Sequence, residues 1–175
     1  MPVYELARDD LLVALAEVMG LYHVELRDAD VRIDVLVAYA KTDANGDPTG
    51  PAVKLHGHPC CAKVRVIGLR DRVAGRGDAE IIIDGDNCDT WPPEQLRAIL
   101  DHELEHLELQ VSDEGLVKRD DAERPKLRLR EHDRQFGWFD SVARRHGYAS
   151  IEVQQATQMT ERDELRQLYL PGLQV

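Results

Sequence analysis

The segment Asp101-His102-Glu103-Leu104-Glu105-His106-Leu107 contains the spacing H-E-x-x-H. Two histidines four apart on a helix stand one turn above the other on the same face. Both imidazoles can then reach one Zn²⁺ at about 2.0–2.1 Å. Glu103 lies about 100° further round the helix axis, so it is not a ligand. It is placed instead to act as general base on the water that zinc activates. Metal-assisted hydrolysis is the chemistry that such a set performs.

A catalytic zinc takes three protein ligands and keeps one position open, so a third ligand must come from elsewhere. The remaining histidines are His23, His56, His58, His132 and His146. His132 is the first choice, because Phe136, Phe139 and Ala143 follow it at helical spacing and place it on a buried face. Glu131 and Asp133 are its rivals. Asp101 and Asp133 each adjoin a candidate ligand, where a carboxylate can hold an imidazole by its second nitrogen; capping or a solvated position is the plain alternative. Other constellations are weaker. His56-Gly57-His58-Pro59-Cys60-Cys61 gathers metal-competent side chains, but a loop with solvated histidines is preferred. Asp43-Ala44-Asn45-Gly46-Asp47 lacks the closing glutamate of a calcium loop and reads as a turn. Lys126, Arg128, Arg130, Arg134, Arg144 and Arg145 form a basic cluster that would attract a nucleic-acid backbone or an acidic peptide, unless nearby acids balance it.

The elements that must position the motif follow from periodicity. Apolar residues predict helices over Leu6–Met19 and Glu94–Gln110, the second capped at Thr90 with Pro92 and Pro93 in its first turn. Further helices are predicted over Glu131–His146 and Ile151–Leu170. Alternation predicts strands over Val31–Ala40 and Ala62–Ile67, a β-branched strand over Glu80–Asp84 and a short strand at Leu127–Leu129. Lys41–Pro59 reads as a loop and Arg70–Asp78 as a charged connection.

A length of 175 residues suits one domain, without room for two full ones. The formal charge of −11, from 22 Lys+Arg against 33 Asp+Glu, argues against a general nucleic-acid binder. No run approaches the roughly 18 apolar residues of a membrane span, and MPVYELARDD resembles no signal peptide. Cys60, Cys61 and Cys88 make an odd set with two immediate neighbours, which points to a reducing cytoplasm.

The chain resembles the putative phage metallopeptidase family, a zincin-like group. The resemblance runs from about His56 to about Ala156. It rests on HGHP (His56–Pro59), DRVAGRGDAEIIIDGD (Asp71–Asp86), LDHELEHLEL (Leu100–Leu109), RPKLRLREHDRQFGWF (Arg124–Phe139) and RRHG (Arg144–Gly147). It departs at Cys88, where a tryptophan is expected. The resemblance implies zinc on His102, His106 and His132, Glu103 as base, and a location in the cytoplasm of a bacterial or phage-infected cell.

The fold class expected is α+β. A small mixed sheet of about three strands packs on helices, with H-E-x-x-H on the helix after the last sheet strand. Residues 1–150 form one zincin-like domain and 151–175 a polar helical tail. Ile81–Asp84 would be the edge strand above the metal, where a peptide or protein substrate adds by backbone pairing. Oxyanion stabilisation falls to His146, Arg128 or Tyr148. Two other functions compete with a peptidase. One is an acidic binding or inhibitor protein with structural zinc. The other is a DNA-associated protease using Lys126, Arg128, Arg130 and Arg134.

Overall fold

The computed structural model describes residues 2–132 and 139–161, with side chains to residue 158. The chain runs β1 (Val3–Leu6), α1 (Asp9–Tyr22), α2 (Val24–Asp28), β2 (Ile33–Tyr39), β3 (Lys54–Leu55), β4 (His58–Pro59), β5 (Ala62–Val66), α3 (Leu69–Val73), β6 (Ala79–Asp84), α4 (Gly85–Cys88), α5 (Pro93–Glu105), β7 (Leu107–Leu109), β8 (Leu127–Leu129), α6 (Asp140–His146), a 3₁₀ turn at Gly147–Ala149 and α7 (Ile151–Glu161). No described helix is long and apolar enough to cross a membrane. The described residues fall into two compact units, one ending at Glu131 and the other beginning at His132.

The first unit is a mixed α+β structure. Its sheet has four strands, not three, in the order β1-β2-β6-β5, with β2 and β6 parallel and the two outer pairings antiparallel. The reading of Ile81–Asp84 as an edge strand is corrected here. All six residues of β6 are buried and the strand is bonded on both sides. A continuous β-branched run has no polar face to give to solvent, so it belongs inside a sheet. The edge beside it is β5. On one sheet face, Ala52 and Val53 of the 41–60 segment pack on Ala38 and Ile82. Alternation sends Ile81 and Ile83 to the other face. Helix α5 packs on α1 and on β5. A Cβ at Gly85 would stand 2.6 Å from Val37 Cγ1 and Tyr39 Cε1, so a side chain there would prevent the start of α4 from lying against β2.

Helix boundaries differ from those predicted. Leu6 ends β1, and α1 passes through Gly20 to Tyr22; the next amide, of His23, still reaches the Met19 carbonyl at 3.1 Å. Part of the expected charged connection folds as α3, which buries Arg72. The cap of α5 is Pro92, while the Thr90 hydroxyl bonds the Asn87 carbonyl at 2.7 Å. In the second unit α6 begins at Asp140, and residues 133–138 of the helix predicted over Glu131–His146 lie outside the described residues. Helix α7 belongs to this unit, and the predicted tail beyond Glu161 is not described.

Candidate metal centre

Helix α5 buries Ala98, Ile99, Leu100 and Leu104, and this stripe fixes its rotation. Glu103 is drawn in with the stripe and is 5% exposed, whereas His102 and His106 flank it half-buried. The helix stops at Glu105, short of the predicted Gln110, because Leu107 enters a β-ribbon with Leu129. His106 is the cap residue and keeps helical dihedrals (φ −72°, ψ −17°), so it still stands one turn above His102. The two rings lie 5.2 Å apart between centroids, at 75°.

The ribbon does more than end the helix. Its ladder continues past Leu107–Leu129 to His106 and Arg130, where the Arg130 amide donates to the His106 carbonyl at 2.7 Å. His106 Nδ1 lies 2.8 Å from the Arg130 carbonyl. A carbonyl only accepts, so Nδ1 carries the proton and Nε2 the lone pair. Ligating histidines are commonly held by their second nitrogen in this way. The Arg130 guanidinium also donates to Glu105 Oε2 at 2.7 Å.

His132 follows two residues later. It is not helical, contrary to the expectation that selected it, and its ring lies 5.0 Å from that of Phe139. His102, His106 and His132 form a group that could hold a metal ion, with one ring nitrogen of each within 4.8 Å of the others. Among the described residues Glu131 enters no such group. Asp133 lies outside them. A second group, His23, Asp101 and Glu105, was not foreseen. Asp101 and Glu105 are one turn apart on α5, which sequence could show; His23 comes from the end of α1, which it could not. In this group His23 Nε2 already meets Asp101 Oδ1 at 2.6 Å, with both side chains at most 4% exposed, and Glu105 is held by Arg130.

Cys60 and Cys61 lie within electrostatic reach of Glu103. Burial pushes the Cys60 thiol up to about 11; the Glu103 carboxylate adds to the rise and Lys63 opposes it. Burial, Asp84 and Glu103 raise Cys61. The start of β5 therefore lies beside the proposed base. Among the described residues the HGHPCC segment gathers no metal-binding group. Instead, His56 (φ +50°) and Gly57 form the turn between β3 and β4. Asp43 accepts the amides of Asn45 and Asp47 at 2.8 and 3.0 Å, a turn as expected. Two members of the basic cluster are compensated: Arg128 forks onto Glu108 at 2.7 and 3.0 Å, and Arg130 takes Glu105. Arg134 is not described. His146 ends α6, and Tyr148 is exposed.

H-E-x-x-H thus lies at the end of a partly buried helix of a mixed α+β structure, with a third imidazole able to join it at a metal ion. The chain belongs to the family of putative phage metallopeptidases, whose family model matches residues 11–161. Comparison with curated proteins and with solved structures gave no match.

Proposed function

We propose that this chain is a zinc-dependent peptidase with His102, His106 and His132 as ligands and Glu103 as general base. The observation that carries the reading is the gathering of three imidazoles at the end of α5, in a member of a metallopeptidase family. The donor set fits the metal. Three nitrogens around tetrahedral zinc stand about 3.3 Å apart, inside the observed 4.8 Å bound, and imidazole suits zinc well. When bound, zinc would polarise a scissile carbonyl and activate a water.

The protein residues account for the remaining steps. Glu103 accepts the proton of the attacking water at a carboxylate oxygen and passes it to the leaving amine. Its burial removes competing solvent and strengthens that exchange. The Arg130 carbonyl keeps His106 in the ligating tautomer. Strand β5 replaces Ile81–Asp84 as the substrate edge: its outer side has no strand partner in the sheet, and its first residues adjoin Cys60 and Cys61, which feel Glu103. A peptide pairing there would be delivered next to the base. Elemental analysis of the purified chain should give about one zinc, and His102→Ala with His106→Ala should remove it. Unchanged zinc in the double variant would overturn the assignment. A fourth protein ligand seen by X-ray absorption would favour the structural-zinc binding protein instead.

A further inference from the structure

Lys41, Lys54 and Lys63 line one cavity of about 360 Å³ together with Tyr4, Thr49 and Gly50. The cavity adjoins the sheet face that the 41–60 segment covers, where Ala52 and Val53 are buried. Its frame is built. The Lys41 carbonyl accepts both the amide and the hydroxyl of Thr49, each at 2.8 Å, and Lys63 Nζ reaches the Lys54 carbonyl at 3.5 Å. A Cβ on Gly50 would stand 3.9 Å from Lys54 Nζ, so the missing side chain leaves that ammonium approachable.

The charge balance makes the cavity unusual. The chain carries 11 more acids than bases, and Arg8, Arg65, Arg76, Arg97 and Arg128 each hold a carboxylate. Among the described residues Lys41, Lys54 and Lys63 are in no ion pair. Three lysines lining one small volume repel one another unless an anion joins them. A single carboxylate would neutralise one of the three. A long polyanion would meet repulsion from the rest of an acidic molecule. A compact anion of two or more charges matches both the volume and the charge. We propose that this cavity binds a phosphate-type ligand, free or as the terminal group of a small molecule. The proposal is independent of the peptidase reading.

The test titrates inorganic pyrophosphate into the full-length chain at low salt, by calorimetry and by amide shifts in ¹⁵N spectra. One saturable site is expected, with shifts centred on Lys41, Thr49, Gly50 and Lys63. Each of Lys41→Gln, Lys54→Gln and Lys63→Gln should weaken binding about 5- to 10-fold, the loss of one charge-assisted contact. The triple variant should not bind, while Lys118→Gln should bind as wild type. Circular dichroism of the triple variant confirms that it is folded. A 5′-phosphorylated short oligonucleotide should compete and its 5′-hydroxyl form should not, which separates a terminal phosphate from the nucleic-acid backbone. Absence of binding overturns the proposal. So does binding that survives in the triple variant, since the anion is then elsewhere, on bound metal for instance. A glutamate-rich peptide competing as well as pyrophosphate would overturn the phosphate assignment.

Discussion

Glu103 and Cys60 lie within electrostatic reach of each other but answer to different tests. Glu103 is buried on the α5 stripe beside the two histidines, so the proposed mechanism uses it for a proton and not for the metal. Glu103→Gln is nearly isosteric and cannot accept that proton. It should keep fold and zinc while lowering peptide hydrolysis by about 10²–10⁴-fold. Loss of zinc in this variant, read by elemental analysis, would make Glu103 a ligand. Equal hydrolysis of a casein substrate by both proteins would remove it from the chemistry. Cys60 is a weak nucleophile for a stated reason: burial first, then the nearby Glu103, holds its thiol at about 11. Alkylation of native Cys60 by iodoacetamide, followed by peptide mass mapping, should rise towards half its limit near pH 11. A rise centred near 9 would mean the thiol is solvated. The linkage has a definite sign. Between pH 9 and 11 the unfolded chain loses this proton before the folded one does, so stability falls across that window.

At the scale of elements, α5 and the β7–β8 ribbon act as one unit, and Arg130 joins them. Removing its side chain leaves the backbone clasp on His106 intact but strips Glu105 of its guanidinium. Arg130→Ala should therefore leave zinc affinity near wild type, since the partner that orients His106 is the Arg130 carbonyl and not its guanidinium. Competition against a chelating dye measures this, and a loss of about tenfold or more would show that the Arg130–Glu105 pair also orients the site. Sequence carried much of this level. H-E-x-x-H lay in register with Ile99 and Leu100, and the strands at Ile33–Tyr39, Ala62–Val66 and Ala79–Asp84 followed their alternation or β-branched runs. What it missed depends on distant partners. Nothing local tells Leu107 to leave a helix; the instruction is its pairing with Leu129, 22 residues on. Ile81–Ile83 does not name its neighbours: its β-branched run argues for a central strand, and the distant β2 and β5 supply the two partners. His132 was chosen for a helical face that it does not occupy; it comes near His102 and His106 because Arg130 is tied to His106 just before it.

At the scale of the molecule, many arginines of this acidic chain are paired with carboxylates. Arg128 and Arg130 of the predicted basic cluster are paired with Glu108 and Glu105. The deepest example lies in the first unit, where Arg72 is 8% exposed. It reaches Asp78 at 3.1 Å, Asp120 at 2.7 Å and the Pro125 carbonyl at 2.9 Å, and Arg124 meets the same Asp78 at 2.9 Å. Asp78 stands at the entry to β6, while Asp120 and Pro125 belong to the connection between β7 and β8. This group therefore ties the connection that leads to Arg130 onto the central strand. Burying such charges gains little over an apolar core, but breaking the set leaves a charge without compensation. Arg72→Ala should cost about 3 kcal/mol, the low end for a buried pair because Arg124 still holds Asp78. Urea denaturation of the zinc-free chain would show this as a lower midpoint with an unchanged slope. Arg72→Lys should recover only part of the loss, since one ammonium cannot reach both carboxylates and the carbonyl in the fork geometry of a guanidinium. A cost below about 0.5 kcal/mol, the level of an ordinary surface substitution, would show that Arg124 suffices and that the connection is held by its backbone bonds alone.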